Sequence, residues 1–273
     1  MPKMTGARFI AEMLKGYGVT HVFFVPAVLG RALAEMERLC IQRVVAHSEK
    51  AAAYMADGYA RACHRPGVCM AQSVGAANLA AGLQDAYLAL SPVIAITGHR
   101  PSSHKYRNAY QEIEHMPLYE PVTKFNVTVD ALEQLPLLLR QAFREATSGA
   151  PAPVHLDLQG LQGEVVMDAE ADLDVIVEPQ FSRYPAFRPE PEAERVRAAT
   201  RALAQARRPV IVAGGGVTAS EAQSEVRELA EMLSIPVATS LNGKGTLHDD
   251  HPLSVGVVRS YSRWCANRVV AEA

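Results

Sequence analysis

Residues 42–61 are QRVVAHSEKAAAYMADGYAR, and this stretch decides how the first part of the chain folds. The run from Arg43 to Ala46 is mostly apolar and predicts a buried strand. The alanine-rich residues that follow predict a helix with Glu49 in its first turn. A strand that leads directly into a helix is the unit from which parallel sheets are built.

The same alternation of strand and helix continues on both sides of this stretch. Short apolar runs bounded by glycine or proline predict strands at 19–26, 42–48, 66–73, 92–98 and 151–158. Helical patterns lie at 5–17, 31–39, 49–63, 75–90 and 131–147. Because the strands are apolar on both alternations, they suit a sheet that is covered on both faces. Residues 1–165 are therefore predicted to form an α/β domain, a doubly wound parallel sheet with helices on both faces.

The pattern changes after residue 165. Residues 166–190 are rich in acids and prolines, which predicts a linker. A second α/β pattern fills residues 191–273, with helices at 192–206 and 219–234 and strands at 208–216 and 235–241. The final residues, NRVVAEA, lie in another apolar run. We therefore expect an incomplete, Rossmann-like second domain and a chain that is the front part of a longer protein.

Composition narrows the class of protein. The net charge of −2 gives no electrostatic reason to expect a nucleic-acid partner. No apolar run approaches the roughly 18 residues of a membrane span, so no membrane partner is expected. The four cysteines show no CxxC spacing, which favours free thiols in a reducing, cytoplasmic compartment.

Candidate binding loops follow the predicted strands, because ligands of parallel sheets bind beyond the carboxyl ends of the strands. These loops are residues 25–30, 46–50, 72–78 and 97–103. In SVGAAN, at 73–78, small residues let the backbone approach a ligand, although such turns are common in any α/β protein. Glu49 likewise has two interpretations: an acid that complements the dipole of its helix, or a functional carboxyl group.

Several ordered motifs resemble thiamine-diphosphate enzymes. EKAAAYMADGYAR, SVGAANLAAGLQDAYLALSPVIAITG, AYQEIEHMPLYEPVTKFNVTV and APAPVHLDL resemble the pyrimidine-binding domain, and are most similar to the acetolactate synthase-like branch. ARRPVIVAGGGV and VATSLNGKGTLHDDHPLSVGV resemble the central domain. The resemblance implies a lyase or transferase that makes or breaks a carbon–carbon bond next to a carbonyl. It also implies 2-oxo acid substrates such as pyruvate, and a homodimer or homotetramer with its active site at the subunit interface.

The resemblance assigns roles to five residues. Glu49 falls on the family's cofactor-activating glutamate, so its carboxyl group is expected to hydrogen-bond N1′ of the cofactor's aminopyrimidine ring and to share a proton there. Gln111 matches a position near the reacting centre, with a surface glutamine as the alternative. Asn78 lies in the match to the family's GATN segment and is expected to order that turn. Val25 and Pro26 occupy the family's first strand-end loop.

The alanines after Glu49 are expected to let the cofactor ring and a neighbouring subunit approach.

Departures from the family pattern leave the substrate open. Ala27, Val28 and Leu29 add bulk where family members often have Gly-Val-Pro-Gly, and QSVGAAN replaces SGPGATN. A thiamine-diphosphate-dependent decarboxylase or a hydrolase of cyclic diketones is therefore an alternative.

Magnesium is expected to bind elsewhere in the whole protein. The family holds the diphosphate and Mg²⁺ with a Gly-Asp-Gly motif of a third domain, and these 273 residues contain no such motif. We therefore expect the chain by itself to be inactive. HDDH, at 248–251, precedes a proline and is interpreted as a solvated loop, so no metal ligand is predicted.

The central domain and the overall class leave alternatives open. For AGGGV, at 213–217, the resemblance leaves FAD, another nucleotide or an empty domain. The alternative of another class is a non-catalytic nucleotide-binding or assembly module with the same fold.

Overall fold

The structure is a computed structural model, and it describes residues 3–273. Met1 and Pro2, the first residues of the predicted first domain, lie outside the described residues. The chain divides into two compact units, one that extends to Phe187 and one that begins at Arg188. The assignment of 166–190 as a linker between two named domains stays a prediction.

A parallel sheet forms the centre of the first unit. The strands of this unit are β1 Lys3–Thr5, β2 His21–Phe24, β3 Gln42–Val45, β4 Gly67–Ala71, β5 Val93–His99, β6 Phe125–Val129, β7 Val154–Gln159 and β8 Glu170–Asp172. Six of them form one sheet in the order β3-β2-β4-β5-β7-β6, and every neighbouring pair is parallel. The chain builds outward in one direction through β2 and β3 and in the other from β4, so the topological switch point lies between β2 and β4.

Helices cover both faces of this sheet, which confirms the predicted doubly wound α/β class. The helices are α1 Gly6–Gly16, α2 Gly30–Arg38, α3 Glu49–Cys63, α4 Gly75–Gly82, α5 Gln84–Leu88, α6 Met116–Tyr119, α7 Leu135–Thr147 and α8 Glu164–Asp168. One core cluster joins α1, α2, α7 and α8 to the sheet, and a second joins α3, α4 and α5 to the opposite face. In β4, Val68 and Met70 belong to the first cluster whereas Cys69 and Ala71 belong to the second, as the period of two requires.

The second face is packed unusually closely, because its helices present small residues to the sheet. Ala52 and Ala53 are fully buried between α3, α4 and the strands. These two alanines therefore let α3 pack closely within its own unit, and the expectation about a neighbouring subunit stays a prediction. A Cβ atom added at Gly67 of β4 would lie 2.1 Å from the backbone oxygen of Ala56, so glycine is required where α3 crosses this strand.

Three local features differ from the sequence prediction. Strand β6 was not predicted, because its polar residues Asn126 and Thr128 interrupt the apolar pattern at the edge of the sheet. The helix predicted at 75–90 is two helices, α4 and α5, which meet at Leu83. The short strand β1 pairs with β8 in antiparallel fashion. The sequence did not predict this pairing, because each strand has three residues and includes charged side chains.

Much of the segment predicted as a linker is folded into the first unit. Its side chains Leu173, Phe181 and Tyr184 are buried. Glu178 receives hydrogen bonds from Arg144 at 2.6 and 2.7 Å, and these charge-assisted bonds fasten the segment to α7. Because the composition of this segment is acid-rich, the sequence analysis did not predict that these three side chains would be buried in the first unit.

The second unit is a smaller α/β arrangement. Its strands are β9 Ile211–Ala213, β10 Val237–Thr239 and β11 Ser254–Val257, and its helices are α9 Ala193–Gln205, α10 Gly215–Ser220, α11 Gln223–Leu233 and α12 Trp264–Ala271. The three strands form a parallel sheet in the order β11-β10-β9, which confirms the predicted second α/β pattern. Across residues 3–273, no helix is both long enough and apolar enough to cross a membrane.

Candidate functional site

The candidate site lies at the edge of the large sheet where the carboxyl ends of its parallel strands meet, which we call the carboxyl edge. The loops that follow β2, β3, β4, β5 and β7 all lie along it. Strand β2 lies between β3 and β4, so the loops after these three strands are neighbours at the topological switch point. Ligands of open α/β sheets bind at this position.

Glu49 is the first residue of α3 and follows β3 after a three-residue turn. The helix begins there because the Ser48 side chain accepts a hydrogen bond from the backbone nitrogen of Ala51, 3.1 Å away. Glu49 itself is half-buried. Its carboxylate lies against Gly75, the first residue of α4, where an added Cβ atom would be 2.6 Å from Oε1. The glycine therefore makes room for this carboxylate.

Asn78 contacts the same carboxylate. Its side-chain nitrogen donates to Oε2 of Glu49 over 3.2 Å. From the sequence we expected Asn78 to order its own turn, but its amide instead bonds the acid of the neighbouring helix. The structure thus brings two of the predicted site residues together, and one oxygen of Glu49 is already engaged by a neutral donor.

Gln111 is held at the carboxyl edge by a hydrogen bond to its backbone oxygen. The hydroxyl of Ser73 donates to the backbone oxygen of Gln111 over 2.6 Å, and Ser73 lies two residues before Gly75. Gln111 has a φ of +59°, a left-handed conformation uncommon for a residue with a side chain. Its amide donates to the Tyr110 hydroxyl over 3.0 Å. Its own Oε1 is buried and has no hydrogen-bond partner among residues 3–273. Sequence reasoning missed Ser73, for which the available signal was a serine just after an apolar strand.

Val25 and Pro26 follow β2, the strand that separates the Glu49 and Ser73 loops. Val25 is half-buried and Pro26 is exposed. The bulky residues that follow them, Val28 and Leu29, point into the core. Ala27 stays exposed with a φ of +82°, a conformation that favours glycine.

The turn at residues 160–163 follows β7 and is hydrogen-bonded to two of these loops. Its Gln162 backbone oxygen accepts from Leu29 over 3.1 Å, and its Leu161 oxygen accepts from Ser73 over 3.4 Å. Gly160 and Gly163 have φ values of +106° and +78°, so the tight turn requires glycine at both positions. The loops after β2 and β4 therefore share one support, which the sequence analysis did not identify.

A buried polar cluster lies farther along the carboxyl edge, at β5 and β7. Asp157 of β7 accepts a bond from the Thr97 hydroxyl at 2.6 Å, and Nδ1 of His115 lies 3.0 Å from both of its oxygens. Burial by itself would raise the pKa of Asp157, but the bond from His115 and the nearby ring of His99 hold it well below its usual range. Burial lowers the pKa of His155 to about 3, so this histidine is neutral.

His99 is the member of the cluster nearest to solvent. Its Nδ1 lies 3.5 Å from Asp157, and its Nε2 lies 3.7 Å from Asp130. Burial lowers its pKa, but the two carboxylates outweigh this effect and raise the pKa above its usual value. Across residues 3–273, no group of three or more histidine, cysteine, aspartate or glutamate side chains is arranged to hold a metal ion.

Comparison with known families matches two separate stretches of the chain. Residues 4–118 match the family described as thiamine pyrophosphate enzyme, N-terminal TPP binding domain. Residues 196–273 match the central domain of thiamine pyrophosphate enzymes. The chain belongs to the thiamine pyrophosphate enzyme family. All five predicted site residues fall within the N-terminal match.

Curated relatives within the family are identical to the chain at somewhat more than a third of the aligned positions. It is 38% identical to a probable acetolactate synthase large subunit of Methanocaldococcus jannaschii, over 98% of this chain and 46% of the relative. It is 35% identical to acetolactate synthase isozyme 1 large subunit of Escherichia coli K12, over 99% of this chain and 47% of the relative. It is also 35% identical to an acetolactate synthase of Arthrospira platensis, over 94% of this chain and 45% of the relative. The chain thus spans about half the length of these relatives.

Proposed function

We propose that the protein to which this chain belongs is a thiamine-diphosphate-dependent carboligase of the acetolactate synthase type, acting on 2-oxo acids such as pyruvate. The observation that carries the proposal is the environment of Glu49. Its carboxylate lies at the topological switch point, over a glycine that gives it space and beside an asparagine that holds one oxygen. The names of the relatives support the reaction class.

The residues at this edge fit an aminopyrimidine ring. Asn78 engages Oε2 of Glu49, and the amide of Asn78 carries no charge to neutralise the acid. A half-buried carboxyl group in this state can share a proton with a ring nitrogen, which an acid paired with arginine or lysine does less readily. Thiamine diphosphate, when bound, supplies the carbon centre at which the bond next to the carbonyl is made or broken. Glu49 would hold the pyrimidine, and Gln111 would face the reacting region.

We further propose a homodimer or homotetramer in which a second subunit completes the site and supplies the groups for the diphosphate and Mg²⁺. Exposed apolar side chains on or beside α3, α4 and α5 support this arrangement. Met55 of α3 is 42% exposed, Val74 before α4 is 51% exposed and Leu88 of α5 is 77% exposed. Four cysteines without disulfide bonds support a cytoplasmic location.

FAD in the second unit stays a prediction from resemblance. The glycine-rich turn after β9 packs against the turn after β10. A Cβ atom at Gly243 would lie 2.3 Å from the backbone oxygen of Ala213. Packing between the two turns therefore accounts for this glycine without a nucleotide.

Replacement of Glu49 by glutamine in the full-length protein tests the proposed function. Glutamine keeps the shape of the side chain but cannot share a proton, so pyruvate-dependent turnover with thiamine diphosphate and Mg²⁺ should fall about 10²–10⁴-fold. Glu133→Gln, at an exposed position near the start of α7, is the matched control and should keep full turnover. Unchanged turnover in Glu49→Gln would show that the carboxyl group only stabilises the start of its helix.

A further inference from the structure

Residues 100–115, which we call the Gln111 segment, are held to the sheet at few points. Apart from the short 3-10 helix Ser102–His104, this segment is irregular. Its aromatic side chains face solvent, with Tyr106 90% exposed and Tyr110 73% exposed. A segment with so little buried apolar surface needs polar contacts to keep one position.

Most polar contacts of the segment are internal. Lys105 pairs with Glu114 at 2.7 Å, and the Glu112 carboxylate accepts from the backbone nitrogens of Tyr106 and Ala109 at 2.7 and 2.9 Å. These contacts shape the segment but do not attach it. Among residues 3–273, two side-chain hydrogen bonds tie it to the sheet: Ser73 to the Gln111 backbone at 2.6 Å, and His115 to Asp157 at 3.0 Å.

The second of these attachments is the stronger in chemical terms. The Asp157 side chain is 2% exposed and that of His115 is fully buried, so the bond joins a buried carboxylate to a buried ring. Donors to a buried carboxylate are worth about twice a neutral hydrogen bond. Nδ1 of His115 lies 3.0 Å from both carboxylate oxygens, whereas Nε2 of the same ring has no partner among residues 3–273. The bond to Asp157 is therefore the one polar contact that this ring makes in the described structure.

We propose that His115 is a positioning residue, which holds the Gln111 segment over the carboxyl edge through its bond to Asp157. The segment has Gln111 near its carboxyl-terminal end, four residues before His115. Loss of the anchor would leave the Ser73 bond as the remaining side-chain attachment. As far as it concerns the reaction, this proposal rests on the proposed function, but the anchoring itself does not.

Two substitutions separate anchoring from general damage. His115→Leu removes the donor and leaves a buried carboxylate with one fewer bond. His115→Asn places an amide nitrogen close to the position of Nδ1 and so keeps a donor to Asp157. His104→Asn, on the same segment but not among the partners of Asp157, is the control.

Hydrogen–deuterium exchange on the 273-residue chain measures the anchoring without any cofactor. In His115→Leu, amides of residues 105–112 should exchange about tenfold faster than in the unaltered chain, since a lost bond to a buried group is worth roughly that factor. His115→Asn and His104→Asn should stay within about threefold. Unchanged exchange in folded His115→Leu would overturn the proposal.

A measurement on the unaltered chain keeps the proposal testable if His115→Leu does not fold. Ring nitrogen NMR at neutral pH should show a proton on Nδ1 of His115, and a proton on Nε2 alone would overturn the proposal. In the full-length protein, His115→Leu should lower kcat about tenfold and His115→Asn should restore it. Faster exchange with an unchanged kcat would overturn the role in the reaction. An unaltered protein without thiamine-dependent turnover would instead reject the proposed function, and the exchange result would stand.

Discussion

Asn78 Nδ2 donates to Oε2 of Glu49 over 3.2 Å, and this bond joins the first turn of α3 to the first turn of α4. The two residues are 29 positions apart and follow different strands of the sheet. The bond fixes which carboxylate oxygen is engaged within the chain and which is left for a ligand.

Asn78→Ala should therefore impair the reaction more than the fold. Without the amide, the Glu49 side chain can rotate away, and turnover of the full-length protein should fall about tenfold, the usual scale for one lost hydrogen bond to a charged group. Gln205→Ala, at an exposed position of α9, should leave turnover unchanged. Steady-state kinetics with thermal unfolding in parallel measures both effects. Equal losses in the two variants would contradict a specific role for Asn78.

Gly75→Ala should displace Glu49 at little cost in stability. The added Cβ atom would meet the flexible end of the Glu49 side chain at 2.6 Å, so the side chain moves and the backbone need not. We expect turnover in the full-length protein to fall at least about tenfold, because a small misplacement of a reacting group is costly.

Gly58→Ala is the matched control for this substitution. It lies in α3 with nothing within 4 Å of the added atom. It should stabilise the chain by about 0.5–1 kcal/mol through helix propensity and leave turnover intact. Normal turnover in Gly75→Ala would show that Glu49 tolerates several positions.

Ala27→Gly should stabilise the chain. Its φ of +82° costs a residue with a side chain about 1 kcal/mol or more, and glycine removes that strain. Urea unfolding should show a gain of about 1 kcal/mol. Ala62→Gly, in the last turn of α3, should instead lose up to about 0.5–1 kcal/mol. A loss in both variants would show that the loop after β2 is not strained at this residue.

Acid should destabilise the first unit through His155. Because burial lowers its pKa to about 3, the unfolded chain, with a pKa of about 6.5, takes up this proton first as the pH falls. Its contribution to the free energy of unfolding is complete above pH ~6.5 and is lost progressively from there toward the folded pKa.

The size of this effect can be measured with His155→Gln, which does not titrate. The slope of the free energy of unfolding between pH 6 and 4 should decrease by up to about 1.4 kcal/mol per pH unit relative to the unaltered chain. An unchanged slope in His155→Gln would show that another group takes up the proton.

The positions of the elements around Glu49 could be predicted because local signals agreed, but the predicted burial of β3 is wrong, since it is an edge strand and its Val45 is 57% exposed. An apolar strand, a short polar turn and an alanine-rich helix place Glu49 at a helix start, and α3 begins there and ends at Cys63 as predicted. The parallel sheet followed from strands that are apolar on both alternations. Strand β6 was not predicted, because an edge strand is buried on fewer sides and its polar residues Asn126 and Thr128 resemble loop residues.

Contacts between side chains of separate elements could not be predicted from the same signals. The bond from Asn78 to Glu49 depends on the position of α4 relative to α3. No pattern within either helix determines that position. The His115–Asp157 bond joins residues 42 positions apart and depends on the path of an irregular segment. A resemblance can suggest that such residues matter, but it does not show which atoms meet.

The turn at 160–163 has a consequence for where the gene can be lengthened. Because it supports the loops after β2 and β4 together, an inserted residue there would shift both neighbours of Glu49 in one event. At Gly149, by contrast, the residue is exposed and lies in the loop between α7 and β7, at the edge of the sheet opposite the carboxyl edge. A transposon library that adds short peptides throughout the reading frame should therefore recover many active clones at 149–150 and almost none at 160–163.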